Sequence, residues 1–274
     1  MDSRLHDLVA LVTGASGGIG WAIAEALALE GCRLALVGRS QAADLEQRVA
    51  HAGLSHRAIA LAADVRDPAT IEAAFGRAAE RFGGIDVCVA CAGIWPPESR
   101  RLHEMEVTRI REVVDVNLLG ALYTARAFFC QLALKPRSGT SLLFVGSTAG
   151  EFGEAGHAEY AMTKAGLRGL MLSCKNEIVT LDPRGRCNLV QPGWTVTPMA
   201  AESLRDGAGV RRVLQTTPLR RIATVEDVAS AVVFLSSPAL SGHLTGQTLT
   251  VAGGMEGRVL WSDEEIDPDV ARRT

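Results

Sequence analysis

The chain has 274 residues, of which 47% are hydrophobic and 22% are charged, an ordinary composition for a globular protein. Its formal net charge of −3 provides neither a basic surface for nucleic acid nor a polybasic patch for a membrane, so we expect neither partner. No uninterrupted apolar run is long enough to span a bilayer, and the N-terminus is polar where a secretory signal would be apolar. We therefore expect a cytoplasmic protein.

Short apolar runs alternate with longer helical patterns along the chain. Apolar runs that lack alternation predict strands buried on both faces, and their alternation with helices predicts a doubly wound parallel α/β sheet with helices on both sides. We expect one domain, residues 1–255, followed by an extension of different composition, 256–274. The predicted strands are 8–12, 33–37, 58–62, 85–90, 141–145, 187–190 and 248–251, and the predicted helices are 19–30, 41–52, 68–82, two within 104–134, 158–181 and 225–235.

The six cysteines do not form a metal-binding pattern. Cys88 and Cys91 have C-x-x-C spacing, but Cys88 lies in a predicted buried strand and no second Cys or His pair follows at ligand spacing. We expect reduced, mostly buried thiols and no metal site.

A glycine-rich loop, VTGASGGIG, joins the first predicted strand to the first predicted helix. Gly14 allows a tight turn, Gly18 lets the backbone approach a phosphate, and Gly20 lets the helix pack on the strand. The helix N-terminus then offers free N–H groups to a pyrophosphate, so the loop predicts a dinucleotide site. The alternative is an ordinary strand–helix turn.

The end of the second predicted strand bears on which nucleotide binds. Gly38 stands where NAD-binding sites usually place an acid, and Arg39 follows with a charge suited to a 2′-phosphate. We therefore favour NADPH/NADP, while a solvated Arg39 would leave NAD possible. After the next two strands, Asp64 and Val65 are expected to frame the adenine, and 90–93 the adenosine side of the groove.

Tyr160 and Lys164 lie four residues apart in a predicted helix and so share one of its faces. Both types are scarce, with two tyrosines and three lysines against twenty-five arginines. An ammonium beside a phenol favours the phenolate, so we expect the pKa of Tyr160 to fall from its usual value of about 10. Such a tyrosine can donate a proton to a carbonyl oxygen or take one from an alcohol.

Two further polar residues are candidates for the same site. Ser147 ends a predicted strand, and its hydroxyl could orient a substrate oxygen. Asn117 stands among apolar residues of a predicted helix, where it either satisfies a buried hydrogen bond or anchors water that connects Lys164 to solvent.

Together these motifs resemble the short-chain dehydrogenase/reductase family over residues 5–254. The pattern T-G-x-x-x-G-x-G matches at Thr13, Gly14, Gly18 and Gly20, and the C-terminal segments are similar to 3-oxoacyl-carrier-protein reductases. The resemblance implies a Rossmann-type fold and the catalytic set Asn117, Ser147, Tyr160 and Lys164. It implies cofactor contacts from Gly14, Ser16, Gly18, Ile19, Gly20, Arg39, Asp64, Val65, Ala92, Gly93, Tyr160, Lys164, Pro192, Gly193, Thr195 and Thr197.

The sequence departs from the family where N-N-A-G is usual. Ala90 and Cys91 replace both asparagines, which removes a side-chain hydrogen bond that steadies the central strand. We expect some loss of stability there without a loss of chemistry.

By resemblance, the substrate pocket is formed by Trp95, Ser147, Glu154, His157 and Trp194. These side chains favour a compact polar or cationic substrate over a long acyl chain, unless the glutamate faces solvent. Arg100, Arg101, Arg109 and Arg111 could dock an acidic carrier protein, although a solvated helix face is the better interpretation.

The family is typically tetrameric, so we predict a homotetramer or dimer. The extension contains Arg258, Leu260 and Trp261, and we expect Trp261 to pack across a subunit interface.

The predicted function is an NADPH-dependent carbonyl reductase that also works as an alcohol dehydrogenase, with Tyr160 as general acid and base. One alternative is an NAD-dependent alcohol or polyol dehydrogenase. Alternatives of other classes are a non-catalytic nucleotide-binding redox sensor and a lyase or epimerase on the same scaffold.

Overall fold

The computed structural model describes residues 2–39, 42–200, 205, 207–255, 257, 259 and 261–267. Within them, seven strands form one sheet in which every pairing is parallel, in the order β3-β2-β1-β4-β5-β6-β7. The strands are β1 (Val9–Thr13), β2 (Arg33–Gly38), β3 (Ala58–Ala62), β4 (Val87–Ala90), β5 (Ser141–Val145), β6 (Arg186–Pro192) and β7 (Thr248–Val251). The predicted doubly wound fold is confirmed.

The helices cover both faces of the sheet. They are α1 (Gly18–Leu29), α2 (Ala42–His51), α3 (Pro68–Phe82), α4 (Val107–Val114), α5 (Gly120–Leu134), α6 (Ala149–Phe152), α7 (Ala158–Glu177), α8 (Gly207–Gln215) and α9 (Val225–Ser236). One core cluster fills the side of α3, α5 and α7, and a second fills the side of α1, α2 and α9. Because the strand order reverses between β1 and β4, a crevice opens beyond the carboxyl ends of these two strands.

Most predicted elements have observed counterparts, with shifted ends. The fourth strand begins at Val87, two residues later than predicted, and the preceding Asp86 carboxylate accepts a hydrogen bond from the Val9 N–H at 2.8 Å and binds Arg137. The predicted start of the second helix, at position 41, lies outside the described residues. Sequence patterns did not predict α6 or α8, which are short.

A single helical stretch, Val107–Leu134, contains α4, a π-helical turn (Asp115–Leu119) and α5. Length and composition alone would let this stretch cross a membrane, although half of its apolar segment is buried inside the protein. It packs against α3 and α7, with Phe128 and Leu132 in the core, whereas Leu122 and Leu134 are exposed.

Candidate active site

The glycine loop lines a cavity of about 310 Å³ at the crevice between β1 and β4. Gly14 has φ +68°, and a Cβ there would lie 2.7 Å from the Ala92 Cα. A Cβ on Gly20 would lie 2.2 Å from the Gly14 carbonyl oxygen, so both positions require glycine. The first turn of α1 lacks a side-chain cap, which leaves its N–H groups for an anion. This cradle fits the pyrophosphate of a dinucleotide.

Most of the predicted cofactor residues border this cavity. Arg39 is exposed at its edge, at the end of β2. Asp64 lies on the same side but is engaged by Arg66, whose Nη2 lies 2.6 Å from the Asp64 Oδ2 and whose hydrogen bonds lower the pKa of the carboxyl. The predicted cofactor residues that line it are Gly14, Ser16, Gly18, Ile19, Gly20, Arg39, Asp64, Val65, Ala92, Gly93, Tyr160, Lys164 and Thr197.

The tyrosine and the lysine are brought together as expected on α7. The Lys164 Nζ lies 5.6 Å from the centre of the Tyr160 ring and donates a hydrogen bond to the Val145 carbonyl oxygen at 3.0 Å. Lys164 is buried, whereas Tyr160 is half-buried because it borders two cavities. Ser147 follows β5 and borders the second cavity together with Tyr160, and its side chain lowers the pKa of the phenol.

Asn117 lies in the π-helical turn and is fully buried. Its Oδ1 accepts a hydrogen bond from the Ile94 N–H at 2.8 Å, and its Nδ2 donates one to the Ile94 carbonyl oxygen at 2.9 Å. A Cβ on Gly93 would be 3.3 Å from both the Asn117 Oδ1 and the Lys164 Nζ, which shows how closely these groups approach. Asn117 therefore ties the loop after β4 to the helix that faces Lys164.

The expected fall in the pKa of Tyr160 is wrong for this structure. Burial raises the pKa of Tyr160 to about 12, and the hydrogen bond with Ser147 only partly opposes this. Burial also lowers the pKa of Lys164 to about 8. Sequence spacing revealed the neighbouring Lys164 but not the desolvation, which is the largest cause of the raised pKa of Tyr160.

A second cavity, of about 150 Å³, adjoins the first. The two share Ile19, Gly146, Tyr160, Thr197 and Met199. Four of the five predicted pocket residues line the second cavity: Trp95, Ser147, Glu154 and Trp194. Pro192, Gly193 and Thr195, predicted as cofactor contacts, also border it. Sequence patterns gave no signal for Met199, Ala200 and Met255, which complete the wall.

His157, the fifth predicted pocket residue, is buried behind Trp95. Their rings stack with centroids 3.9 Å apart, and Trp95 meets the Tyr160 ring edge-on at 4.7 Å. Burial lowers the pKa of His157, an effect opposed by the charge of Glu159 and reinforced by that of Arg109. His157 thus supports the cavity wall.

Arg109 is not part of a solvated helix face, because its side chain is mostly buried. Its guanidinium lies 2.7 Å from the Glu159 Oε1 and donates to the carbonyl oxygens of Glu98 at 2.6 Å and Gly156 at 3.3 Å. The Glu159 Oε2 is buried without a hydrogen-bond partner. Arg109 therefore fastens together the two loops that carry Trp95 and Glu154.

The altered A-C-A-G segment is held by Thr13. The Thr13 Oγ1 accepts hydrogen bonds from the N–H groups of Cys91 at 3.2 Å and Ala92 at 3.3 Å. This hydroxyl connects β1 with the end of β4. The Cys91 side chain borders the cofactor cavity, and burial raises its pKa to about 11. The stability cost expected for this segment stays a prediction.

Comparisons with known proteins agree with this geometry. The family profile described as Enoyl-(Acyl carrier protein) reductase matches residues 14–256. The chain is 36% identical to the L-rhamnose 1-dehydrogenase (NAD(P)(+)) of Azotobacter vinelandii, over 92% of this chain and 97% of the relative. It is 35% identical to the 3-oxoacyl-(acyl-carrier-protein) reductase FabG of Vibrio cholerae, over 92% and 98% of the two chains.

A solved structure is similar to this chain over nearly its whole length. The short-chain dehydrogenase/reductase from Brucella melitensis described as a glucose/ribitol dehydrogenase superposes with a TM-score of 0.85 at 30% identity, covering 93% of this chain and 99% of its own. The chain therefore belongs to the short-chain dehydrogenase/reductase family. It is an oxidoreductase of the NAD(P)-dependent kind that acts on alcohol and carbonyl groups.

Proposed function

We propose that the protein is an NADPH-preferring carbonyl reductase, reversible as an alcohol dehydrogenase, for a compact polar substrate. The observation that carries the proposal is the position of Tyr160, which borders both the dinucleotide cradle and the second cavity. Bound in the cradle, a nicotinamide dinucleotide would supply or accept the hydride. The substrate carbon would then lie beside Tyr160, in the second cavity.

The protein's own residues supply the proton and the orientation. Since burial raises the pKa of Tyr160 to about 12, the phenol holds its proton at neutral pH and is suited to donate it to a carbonyl oxygen. Ser147 borders the same cavity and orients that oxygen. In the oxidising direction the phenol must lose its proton, and the ammonium form of Lys164 favours that loss.

The second cavity supports a compact polar substrate. Trp95 and Trp194 provide flat walls, and Glu154 is the only charged residue among the described residues that line it. Glu154 is exposed overall, but desolvation raises the pKa of its carboxyl, and the carboxylate could accept a hydrogen bond from a hydroxyl or ammonium group of the substrate. The sugar names carried by the L-rhamnose and glucose/ribitol dehydrogenases support the same substrate class.

NADP is favoured because Arg39 borders the adenosine end of the cradle, while the nearby Asp64 is paired with Arg66. An arginine binds a phosphate with charge-assisted hydrogen bonds. In the alternative, an NAD-dependent alcohol or polyol dehydrogenase, Arg39 is solvated and does not discriminate between the two nucleotides.

The test follows the absorbance of NADPH, and separately of NADH, with a panel of aldoses, polyols, ketones and 3-oxo esters. Tyr160→Phe should lower turnover by roughly 10²–10⁴-fold and keep its affinity for NADPH, measured by fluorescence titration. Turnover that survives in Tyr160→Phe would overturn the proposed role of the phenol. A wild-type protein that binds NADPH and turns over no member of the panel would favour the redox-sensor alternative.

A further inference from the structure

The C-terminal extension lies beyond the part of the chain that matches the family, which ends at residue 256. Arg258 and Leu260 lie outside the described residues, but 261–267 pack on α8 of the same chain. The Trp261 N–H donates to the Gln215 carbonyl oxygen at 3.2 Å, and the Gln215 Nε2 donates to the Asp263 Oδ1 at 3.0 Å. The Arg211 Nη1 donates to the Asp263 carbonyl oxygen at 2.7 Å. Side chains from two turns of α8 therefore bind the extension.

The Trp261 side chain is held by a hydrogen bond and by a cation–π contact. Its indole Nε1 donates to the Thr217 carbonyl oxygen at 3.1 Å, directly after α8. The Arg220 guanidinium lies 3.7 Å from the centre of the indole, within the range of a cation–π interaction. The predicted contact of Trp261 with a neighbouring subunit stays a prediction.

A small apolar cluster connects the extension to the substrate cavity. Its buried members are Val210 and Leu214 of α8, Ile222 and Ile266, and it is separate from the two clusters that pack on the sheet. Trp194 and Trp261 pack against this cluster. Trp194 also borders the second cavity, so the same indole contacts the cluster and faces the proposed substrate.

The position of α8 therefore depends strongly on the extension. Without Ile266 and Trp261, the apolar side of α8 would lose much of its cover, and Trp194 would lose the surface that supports it. Met255, the last residue before the extension, borders the second cavity.

We infer that residues 261–267 form an intramolecular clamp that fixes Trp194 and so sets the size and affinity of the substrate cavity. Trp261 and Ile266 are positioning residues, because they act through Trp194. The expected change in KM for the substrate rests on the proposed function. The inference goes beyond that function, since it assigns substrate selection to a segment outside the family match.

The test compares Trp261→Ala with Trp261→Phe and with a control in the same segment, Glu264→Ala. Glu264 is exposed and the change leaves the anchored indole intact. Hydrogen exchange is measured for the peptide that covers α8 and for a peptide from α7. KM and kcat are measured for the panel member that the wild type turns over, and Kd is measured for NADPH.

In Trp261→Ala we expect exchange in α8 to accelerate about 10-fold while α7 is unchanged. We expect KM for the substrate to rise about 10-fold, with kcat and the Kd for NADPH each within about 2-fold of wild type. Trp261→Phe retains the ring and should restore most of the affinity, and Glu264→Ala should match the wild type. If Trp261→Ala fails to fold, Trp261→Phe provides the test, and we expect its KM for the substrate to rise about 3-fold.

Faster exchange in α8 with an unchanged KM would overturn the inference, because the extension would then only stabilise the fold. Unchanged exchange would overturn it as well. If the wild type turns over no member of the panel, the proposed function fails. In that case the exchange data alone still decide whether the clamp exists, and an α8 that stays protected in Trp261→Ala refutes it.

Discussion

Replacement of Arg109 by methionine should destabilise the protein far more than the loss of an ordinary surface ion pair. The Nε and Nη2 atoms of Arg109 lie 2.8 and 2.7 Å from the Glu159 Oε1, and the two side chains are only 16% and 1% exposed. Methionine keeps much of the length of the side chain but leaves the Glu159 carboxylate buried without its partner. Removing one member of a buried pair costs about 3–5 kcal/mol, because the remaining charge stays desolvated.

The chain offers a matched control nearby. Arg100 pairs with Glu98, but these side chains are 54% and 68% exposed, so Arg100→Met should cost about 0–1 kcal/mol. Free energies of unfolding come from urea titrations followed by circular dichroism. The double variant Arg109→Met with Glu159→Gln should recover part of the loss, because no charge remains buried. The reasoning is refuted if Arg109→Met costs no more than Arg100→Met, or if the double variant recovers nothing.

Two further predictions concern Lys164 and Arg39. Burial lowers the pKa of Lys164 from 10.5 to about 8. Below pH 8 the buried ammonium therefore reduces the free energy of unfolding by its full cost, about 3 kcal/mol, and this cost disappears as the pH rises to 10.5. Lys164→Met should therefore lose turnover yet melt at a higher temperature than the wild type at pH 7. This difference in melting temperature should narrow between pH 8 and 10.5, and a difference that widens with pH would contradict the burial argument. Arg39→Gln should raise KM for NADPH about 10-fold and leave KM for NADH nearly unchanged in initial-rate assays. Equal changes in both values would rule out Arg39 as the 2′-phosphate contact.

The sequence was most informative where chemistry and local geometry coincide. The glycine loop predicted the cradle because Gly14 and Gly20 occupy positions that a Cβ would fill, which is a local requirement. The Tyr160–Lys164 pair was recognisable because helical spacing alone brings both residues to one face. The buried strands were equally clear, since their apolar runs do not alternate.

Sequence patterns did not predict the contacts between residues that are far apart in the chain. Arg109 and Glu159 are fifty positions apart, and nothing in either segment indicates that they meet. The raised pKa of Tyr160 depends on how deeply the fold buries the phenol, which spacing along a helix does not reveal. The helix α8 was missed because its first turn contains two glycines, which are poor helix formers, and because its apolar side is covered by long-range contacts with Ile222 and the C-terminal extension.

The π-helical turn around Asn117 has a consequence for how the family can vary by insertion and deletion. Such a turn holds one residue more than an α-helical turn, and each residue of an α-helix advances the side chains by about 100°. A shorter chain, lacking one residue between Asp115 and Leu119, could form an unbroken helix there. Because the five residues of the π-helical turn rotate the chain about as far as four residues of an α-helix, α5 would still direct Phe128 and Leu132 into the core, and the deletion would change mainly the turn that carries Asn117. The packing of α5 therefore does not require the extra residue, whereas the hydrogen bonds between Asn117 and Ile94 depend on the shape of this turn.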